Sequence, residues 1–126
     1  MNNSTFIQNH CNIDELHYIH LLINYLDKDE KCYLRKKENK YIINKKNTKT
    51  IVCKSFFEDL TKKSFEYSKK DLYIYMFLYN TLNDGWTIKK KNNTYIFKKN
   101  HENKTEILDS SYLVQFIEQN LQKIEY

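Results

Sequence analysis

Glycine and arginine occur once each in this 126-residue chain, at Gly85 and Arg35, and proline and alanine are absent. With a single glycine the chain can hardly build a glycine-rich loop that cradles phosphate groups, and neither GxGxxG nor GxxxxGKS/T occurs. The metalloprotease motif HExxH and the nucleophile motif GxSxG are also missing. We therefore expect a protein that is not an enzyme, with no catalytic residues and no cofactor.

Long apolar runs and a secretory signal are missing as well. No apolar stretch approaches the roughly 18 to 20 residues that cross a bilayer, and the N-terminal MNNSTFIQNH has neither a basic nor an apolar segment. Cys11, Cys32 and Cys53 form an odd and widely spaced set, which suits reduced thiols, with a Cys32–Cys53 disulfide as the alternative. These features predict a soluble intracellular protein with no membrane partner.

Basic residues exceed acidic ones, and the formal net charge is +5. Arg35 is the single arginine among the 21 basic residues, and the others are lysines. Gly, Ala, Arg and Pro have GC-rich codons, so their scarcity indicates an AT-rich coding sequence, which enriches lysine. The lysine excess is therefore weaker evidence for a nucleic-acid partner than basic charge usually is.

The two halves of the chain resemble each other. Hydrophobic residues make up 40% of the chain, which at this length predicts one compact domain, 1–126. CYLRKKENKYIINKK from Cys32 aligns with WTIKKKNNTYIFKKN from Trp86 at a displacement of 54 positions, and upstream residues such as Leu16 and Leu72 align at 56. We predict an internal duplication with repeats at about 12–62 and 68–124.

Each half has the pattern of a helix, a hairpin, a third strand and a last helix. Asn12 and Ser68 are predicted to start the first helices of the two halves, and Gly85 to end the second of these. After these helices, apolar residues recur at every second position, as in strands, with turns predicted at 37–40 and 91–94. TIVC and TEIL supply third strands, and SFFEDL and the segment after Asp109 supply last helices. The predicted fold class is α+β, an internal duplication of an α-β-β-β-α unit that shares one core.

Periodicity also predicts the core. On the sheet it comprises Leu34, Tyr41, Ile43, Trp86, Ile88, Tyr95 and Phe97. On the helices it comprises Leu16, Leu22, Leu26, Leu72, Leu78, Leu82, Leu113, Phe116 and Ile117.

Side chains that can ligate a metal cluster near the N-terminus, at His10, Cys11, His17 and His20. Their spacing matches no recognised zinc motif. In the alignment of the halves, Tyr73 and Met76 stand at the positions of His17 and His20, so we interpret these histidines as variable helix-face residues. No metal site is predicted.

The predicted helices contain more tyrosines than the apolar face of one helix can bury. Among them are Tyr18, Tyr25, Tyr73 and Tyr79. Tyrosine is favoured at interfaces because it combines apolar area with a polar tip. Our first functional hypothesis is a non-enzymatic interaction protein that binds an unidentified protein partner through this aromatic-rich surface.

The basic residues of the hairpins support an alternative hypothesis. The alternation of apolar and polar residues along the strands predicts a solvent-exposed sheet face that carries Arg35, Lys37, Lys89, Lys91 and Lys98. Such a face can neutralise the phosphates of RNA or DNA without reading sequence. Charged residues on an exposed strand face also prevent sheet edges from pairing with other chains. Given the codon bias, the sequence favours this second, structural interpretation.

Two resemblances bear on these hypotheses. The α-β-β-β-α order is similar to that of double-stranded-RNA-binding domains, but the glycine-rich and Lys-Lys run that enters their last helix has no counterpart here, so no binding residue is carried over. The stretch LNDGWTIKKKNNTYIFKK resembles small proteins of giant nucleocytoplasmic DNA viruses. This second resemblance implies a viral origin and a location in the host cytoplasm or virus factory.

Overall fold

The computed structural model describes residues 13–29, 31–52 and 67–124. In these ranges three helices and a six-stranded antiparallel sheet form a mixed α+β fold, as predicted. The helices are α1 (Ile13–Asp27), α2 (Lys69–Asn83) and α3 (Ser110–Ile124). The strands are β1 (Cys32–Lys37), β2 (Lys40–Lys45), β3 (Thr48–Val52), β4 (Thr87–Lys91), β5 (Thr94–Lys99) and β6 (Lys104–Asp109), with a 3₁₀ helix at Asn100–Glu102. Within the described ranges, none of the helices has the length and apolar character needed to cross a membrane.

The sheet consists of two three-stranded meanders that meet at its centre. The strand order is β3-β2-β1-β4-β5-β6, so β1 and β4 are central and β3 and β6 are the edges. The central strands are antiparallel, and Leu34 of β1 lies opposite Ile88 of β4. Both side chains are completely buried and belong to a core cluster with residues from both halves. One continuous sheet therefore joins the two halves.

Each meander begins with a two-residue hairpin turn at the predicted position. Lys37 pairs with Lys40 across the first turn, and Lys91 pairs with Thr94 across the second. The first turn residue has a left-handed backbone in both hairpins, with φ 59° at Glu38 and φ 56° at Asn92. A short turn sets the register of the paired strands, and the register decides which side chains share a face.

The two ends of α2 follow from local chemistry. The Ser68 side chain accepts a hydrogen bond from the Asp71 amide at 3.1 Å, which satisfies a first-turn donor. At the other end Gly85 adopts φ 93°, and the following Trp86 amide donates to the carbonyl of Thr81. Glycine adopts this conformation without steric cost. The predicted start and end of this helix are confirmed.

The start of α3 is also as predicted. Asp109 accepts hydrogen bonds from the amide of Tyr112 and from the hydroxyl of Ser111, both at 2.7 Å, and these bonds lower its pKa. The predicted cap at Asn12 and the predicted helix at SFFEDL lie outside the described residues.

The core lies between the helices and one face of the sheet, which we call the inner face. All seven core residues predicted for the sheet are buried. Most helix predictions are confirmed too, with Leu16, Leu22, Leu26, Leu78, Leu82, Leu113 and Ile117 buried and Phe116 packed at the margin.

One core prediction on α2 is wrong. Leu72 is only half-buried, whereas Phe77, which was not predicted, is completely buried. The Phe77 ring packs edge-on against Phe97 of β5 at 6.1 Å and against Phe116 of α3 at 5.7 Å. Phe77 therefore lies where α2, α3 and the sheet meet.

The opposite side of the sheet, the outer face, carries alternate residues of every strand. Its members include Tyr33, Arg35, Lys37, Ile42, Ile51, Thr87, Lys89, Lys91, Ile96, Lys98 and Ile107. Ile51 and Ile107, on the edge strands, are 53% and 64% exposed. Ile42 differs, since it is buried, with Arg35 and Ile51 as its cross-strand neighbours.

Candidate nucleic-acid interface

All five predicted phosphate-binding cations lie on the outer face. Arg35 and Lys37 are on β1, Lys89 and Lys91 are on β4, and Lys98 is on β5. Because β1 and β4 are the central antiparallel strands and Leu34 lies opposite Ile88, Lys89 is opposite Tyr33 and diagonal to Arg35, whereas Lys37 and Lys91 lie toward opposite ends of the face. Alternate residues on a strand are about 6.8 Å apart, and adjacent strands about 4.8 Å apart. The fold therefore forms one patch from residues as far apart in sequence as Arg35 and Lys89.

The outer face has almost no carboxylate to neutralise this patch. Lys40, opposite Lys37, and Lys49, opposite Asn44, also lie on this face, which brings the cations at outer strand positions to seven. Among the described strand residues, Asp109 is the one carboxylate at an outer position, and it caps α3. The patch therefore keeps most of its positive charge.

Lysines on the inner face are arranged differently, because four of the five pair with a carboxylate and the fifth with a side-chain amide. Lys45 pairs with Asp29 at 2.7 Å, Lys90 with Asp27 at 3.6 Å, Lys99 with Glu102 at 3.0 Å and Lys104 with Glu102 at 3.9 Å, and Lys36 donates to Asn83 at 2.7 Å. The hydrogen bond between Lys45 and Asp29 raises the pKa of the lysine and lowers that of the carboxyl. Charge on the inner side of the sheet is thus largely compensated.

In the described part of the chain, none of the seven outer-face cations forms an ion pair. The Arg35 guanidinium donates from Nε to Oδ1 of Asn44 at 3.0 Å. A neutral amide orients the guanidinium without cancelling its charge. Arg35 is therefore positioned to bind an anion while remaining fully charged.

A groove of about 260 Å³ lies on the outer face where β1, β4 and β5 adjoin. Its lining residues are Tyr33, Thr87, Lys89, Ile96, Lys98 and Asn100. Two of the five predicted cations thus lie beside an aromatic ring. Sequence reasoning did not single out Tyr33, Lys40 or Lys49. The strand alternation that selected the five cations places these three on the same face once the register is known.

Three of the four tyrosines of the protein-binding hypothesis lie at the margin of the core. Tyr18 and Tyr79 line a pocket of about 430 Å³ near the β1–β2 turn, and Tyr73 lies between α2 and α3. These three pack against the core at its margin, whereas Tyr25 is 44% exposed. Packing at the core margin accounts for three of the four, and their role in binding stays a prediction.

His17 and His20 connect α1 to Tyr67, which precedes α2, and to Tyr75 of α2. His17 is buried, and its Nδ1 forms a hydrogen bond with the hydroxyl of Tyr67. Nδ1 of His20 lies 2.6 Å from the hydroxyl of Tyr75, whose pKa is raised mainly by burial. In the described ranges no three His, Cys, Asp or Glu side chains form a metal-binding group. His10 and Cys11 lie outside those ranges.

Protonation of His20 is expected to destabilise the fold. Burial, followed by the charge of His17, lowers its pKa below 6.5; Lys90 acts in the same direction and Asp71 opposes them. The unfolded chain therefore binds this proton more readily, and the free energy of unfolding falls as the pH drops below about 6.5. We expect urea unfolding at about pH 7.5 and about pH 5.5 to show a smaller pH effect in His20→Met than in the wild type. Changing the exposed His101 to Gln is the control, and an undiminished pH effect in His20→Met would contradict the prediction.

Cys32 has a buried free thiol on the inner face, and burial raises its pKa. A buried protonated thiol is a poor nucleophile. The predicted alternative of a disulfide with Cys53 involves a residue outside the described ranges.

Comparisons with protein-family models, with curated proteins and with solved structures gave no significant match. Function must therefore be inferred from the arrangement of this chain's own residues.

Proposed function

We propose that this protein binds RNA or DNA without sequence preference through the outer face of its sheet. The observation that carries the proposal is the sorting of charge between the two faces. Seven outer-face cations have no carboxylate partner among the described residues, whereas four of the five inner-face lysines pair with a carboxylate. Backbone phosphates are the counter-charge that such a patch fits, and they confer affinity without sequence information.

Codon bias does not account for this sorting. An AT-rich coding sequence enriches lysine at every position, on both faces of the sheet alike. At strand positions each face has one carboxylate, Asp109 on the outer face and Glu106 on the inner face. The faces differ because Asp27 of α1, Asp29 of the following loop and Glu102 of the 3₁₀ helix pair with inner-face lysines, whereas no described carboxylate pairs with an outer-face cation. This difference in pairing supports selection for positive charge at the outer face.

Protection of sheet edges does not account for it either. Charged residues prevent edge strands from pairing with other chains. Arg35, Lys37, Lys89 and Lys91 lie on the two central strands, whose backbones are already paired on both sides. The edge strands carry the exposed Ile51 and Ile107 on this face.

A salt titration of binding to single-stranded and duplex RNA and DNA tests the proposal. If five to seven cations contact phosphates, the plot of log K against log salt concentration has a slope of about −3 to −6. Strands of equal length and different sequence serve as the control and are expected to bind with similar affinity. A lack of binding at low ionic strength, or a slope near zero, would overturn the proposal.

We also propose that the sheet arose by duplication. Helices α1 and α2 are both 15 residues long and begin 56 positions apart. Lys36 lies over the ring of Tyr41 at 5.3 Å, and Lys90 lies over Tyr95 at 5.4 Å, with 54 positions between the pairs. The two lysines reach equivalent ends of the opposite helices, Asn83 and Asp27. Duplication would double a basic hairpin and set its two copies side by side.

Binding of a protein partner is the second candidate function. The observation in its favour is the pocket that Tyr18 and Tyr79 share with Glu15 and Lys36, which offers aromatic area together with both signs of charge. A complex that survives nuclease treatment and is lost in a Tyr79→Ala variant would favour this candidate. A complex that nuclease abolishes would favour the outer face.

A further inference from the structure

We propose that the groove beside Tyr33 stacks an unpaired base, so that the outer face prefers single-stranded RNA or DNA to duplexes. This inference rests on the proposed nucleic-acid function and adds the form of the ligand. It follows from the position of an aromatic ring inside the basic patch.

The register of the strands explains how the groove is built. Thr87 lies opposite Lys98, and Lys89 lies opposite Ile96 on the neighbouring strand. Tyr33 is half-buried on β1 next to this pair of strands, so neighbouring residues hold part of its side chain while the rest borders the groove. Because the ring is already held in part, it loses less rotational freedom when a base stacks on it.

The lining matches the requirements of a single-stranded ligand. Proteins that bind single strands combine cations that follow the phosphates with aromatic rings on which bases stack. Here Lys89 and Lys98 supply the cations and Tyr33 the ring, while Asn100 supplies amide groups for a base edge. Pockets for whole drug-sized molecules begin at about 300 Å³. A groove of about 260 Å³ is therefore of a size for one flat ring system.

A duplex would make no use of Tyr33. Its bases are already stacked inside the helix, and its sequence-independent recognition requires only phosphate and sugar contacts. The second half of the chain illustrates the difference, because Thr87 occupies the position equivalent to Tyr33 at a displacement of 54. A surface for phosphates alone could have threonine in both halves.

The test compares Tyr33→Thr with the wild type on an oligothymidine of roughly 16 nucleotides, on an abasic strand of equal length and on a duplex. Threonine suits a strand and is the residue of the equivalent position, so the fold is expected to be retained. We expect Tyr33→Thr to weaken oligothymidine binding by roughly 5- to 100-fold. Abasic-strand and duplex affinity should change less than about twofold, and the salt slope should stay the same, because no phosphate contact is lost.

Tyr33→Phe retains the ring and is expected to bind like the wild type. Tyr112→Thr is the matched control, because it makes the same substitution at a tyrosine on α3 that is 51% exposed. Equal weakening on all three ligands, or no weakening on oligothymidine, would overturn the stacking inference while leaving salt-dependent binding by the wild type intact. Absence of binding by the wild type to every ligand would overturn the proposed function itself.

Discussion

Replacing Lys89, Lys91 and Lys98 by glutamate is expected to abolish nucleic-acid binding, with a loss of more than about a hundredfold in affinity at low salt. These residues lie within the basic patch, and the substitution both removes cations and introduces carboxylates next to Arg35. The residual binding should show a salt slope that is smaller by about 2 to 3 units, since each lost phosphate contact removes close to one unit. Fluorescence anisotropy with a labelled single strand measures both quantities.

A control variant with the same charge separates the patch from diffuse attraction. Lys28, Lys69 and Lys70 are exposed on the helix side of the molecule. Each Lys→Glu change lowers the charge by two, so both triple variants carry −1 in place of the +5 of the wild type. We expect the control triple to lose less than about tenfold, because its lysines are far from the bound strand and are screened by salt. Equal losses in the two variants would show that the outer face has no special role.

The largest effect on stability is expected at the junction of the two halves. Leu34→Ala and Ile88→Ala should each lower the free energy of unfolding by about 2 to 5 kcal/mol, because both side chains are completely buried and face each other across β1 and β4. Since the two residues share one site, the effects of the two changes should differ from additivity by about 0.5 to 3 kcal/mol. Urea unfolding of the single and double variants measures this coupling, and the milder valine substitutions serve if the alanine double variant does not fold.

Two exposed isoleucines provide the control for these core substitutions. Ile51→Ala and Ile107→Ala remove side chains that are more than half exposed, so each should change stability by less than about 0.5 kcal/mol. Strictly additive effects of Leu34→Ala and Ile88→Ala, or two separate unfolding transitions, would contradict a single sheet that unfolds as one unit.

Sequence reasoning was most successful where structure depends on near neighbours. The start of α2 at Ser68 requires only a hydroxyl three residues before an unpaired amide, and its end at Gly85 requires only a residue that tolerates a positive φ. Alternation identified the core residues of β1, β2, β4 and β5, because a strand places every second side chain on one face. The five outer-face cations were found by the same rule.

Which residues of α2 are buried could not be predicted from local spacing. Phe77 is completely buried because it packs on both Phe97 of β5 and Phe116 of α3, and its contact with Phe116 joins residues 39 positions apart. A hydrophobic period describes one buried face of a helix and contains no information about a second neighbour.

By itself, the sequence determined the helices and strands that could be checked, their turns and caps and the side of each strand that faces the core, since these depend on local geometry. The tertiary structure alone decided that β1 pairs with β4 through Leu34 and Ile88. That pairing merges two separate basic hairpins into one patch and brings Tyr33 beside Lys89, while Lys36 and Lys90 reach across to Asn83 and Asp27 of the opposite helices. The physical reason is that such contacts depend on how two preformed halves pack together, and no spacing within either half encodes the order of strands between them.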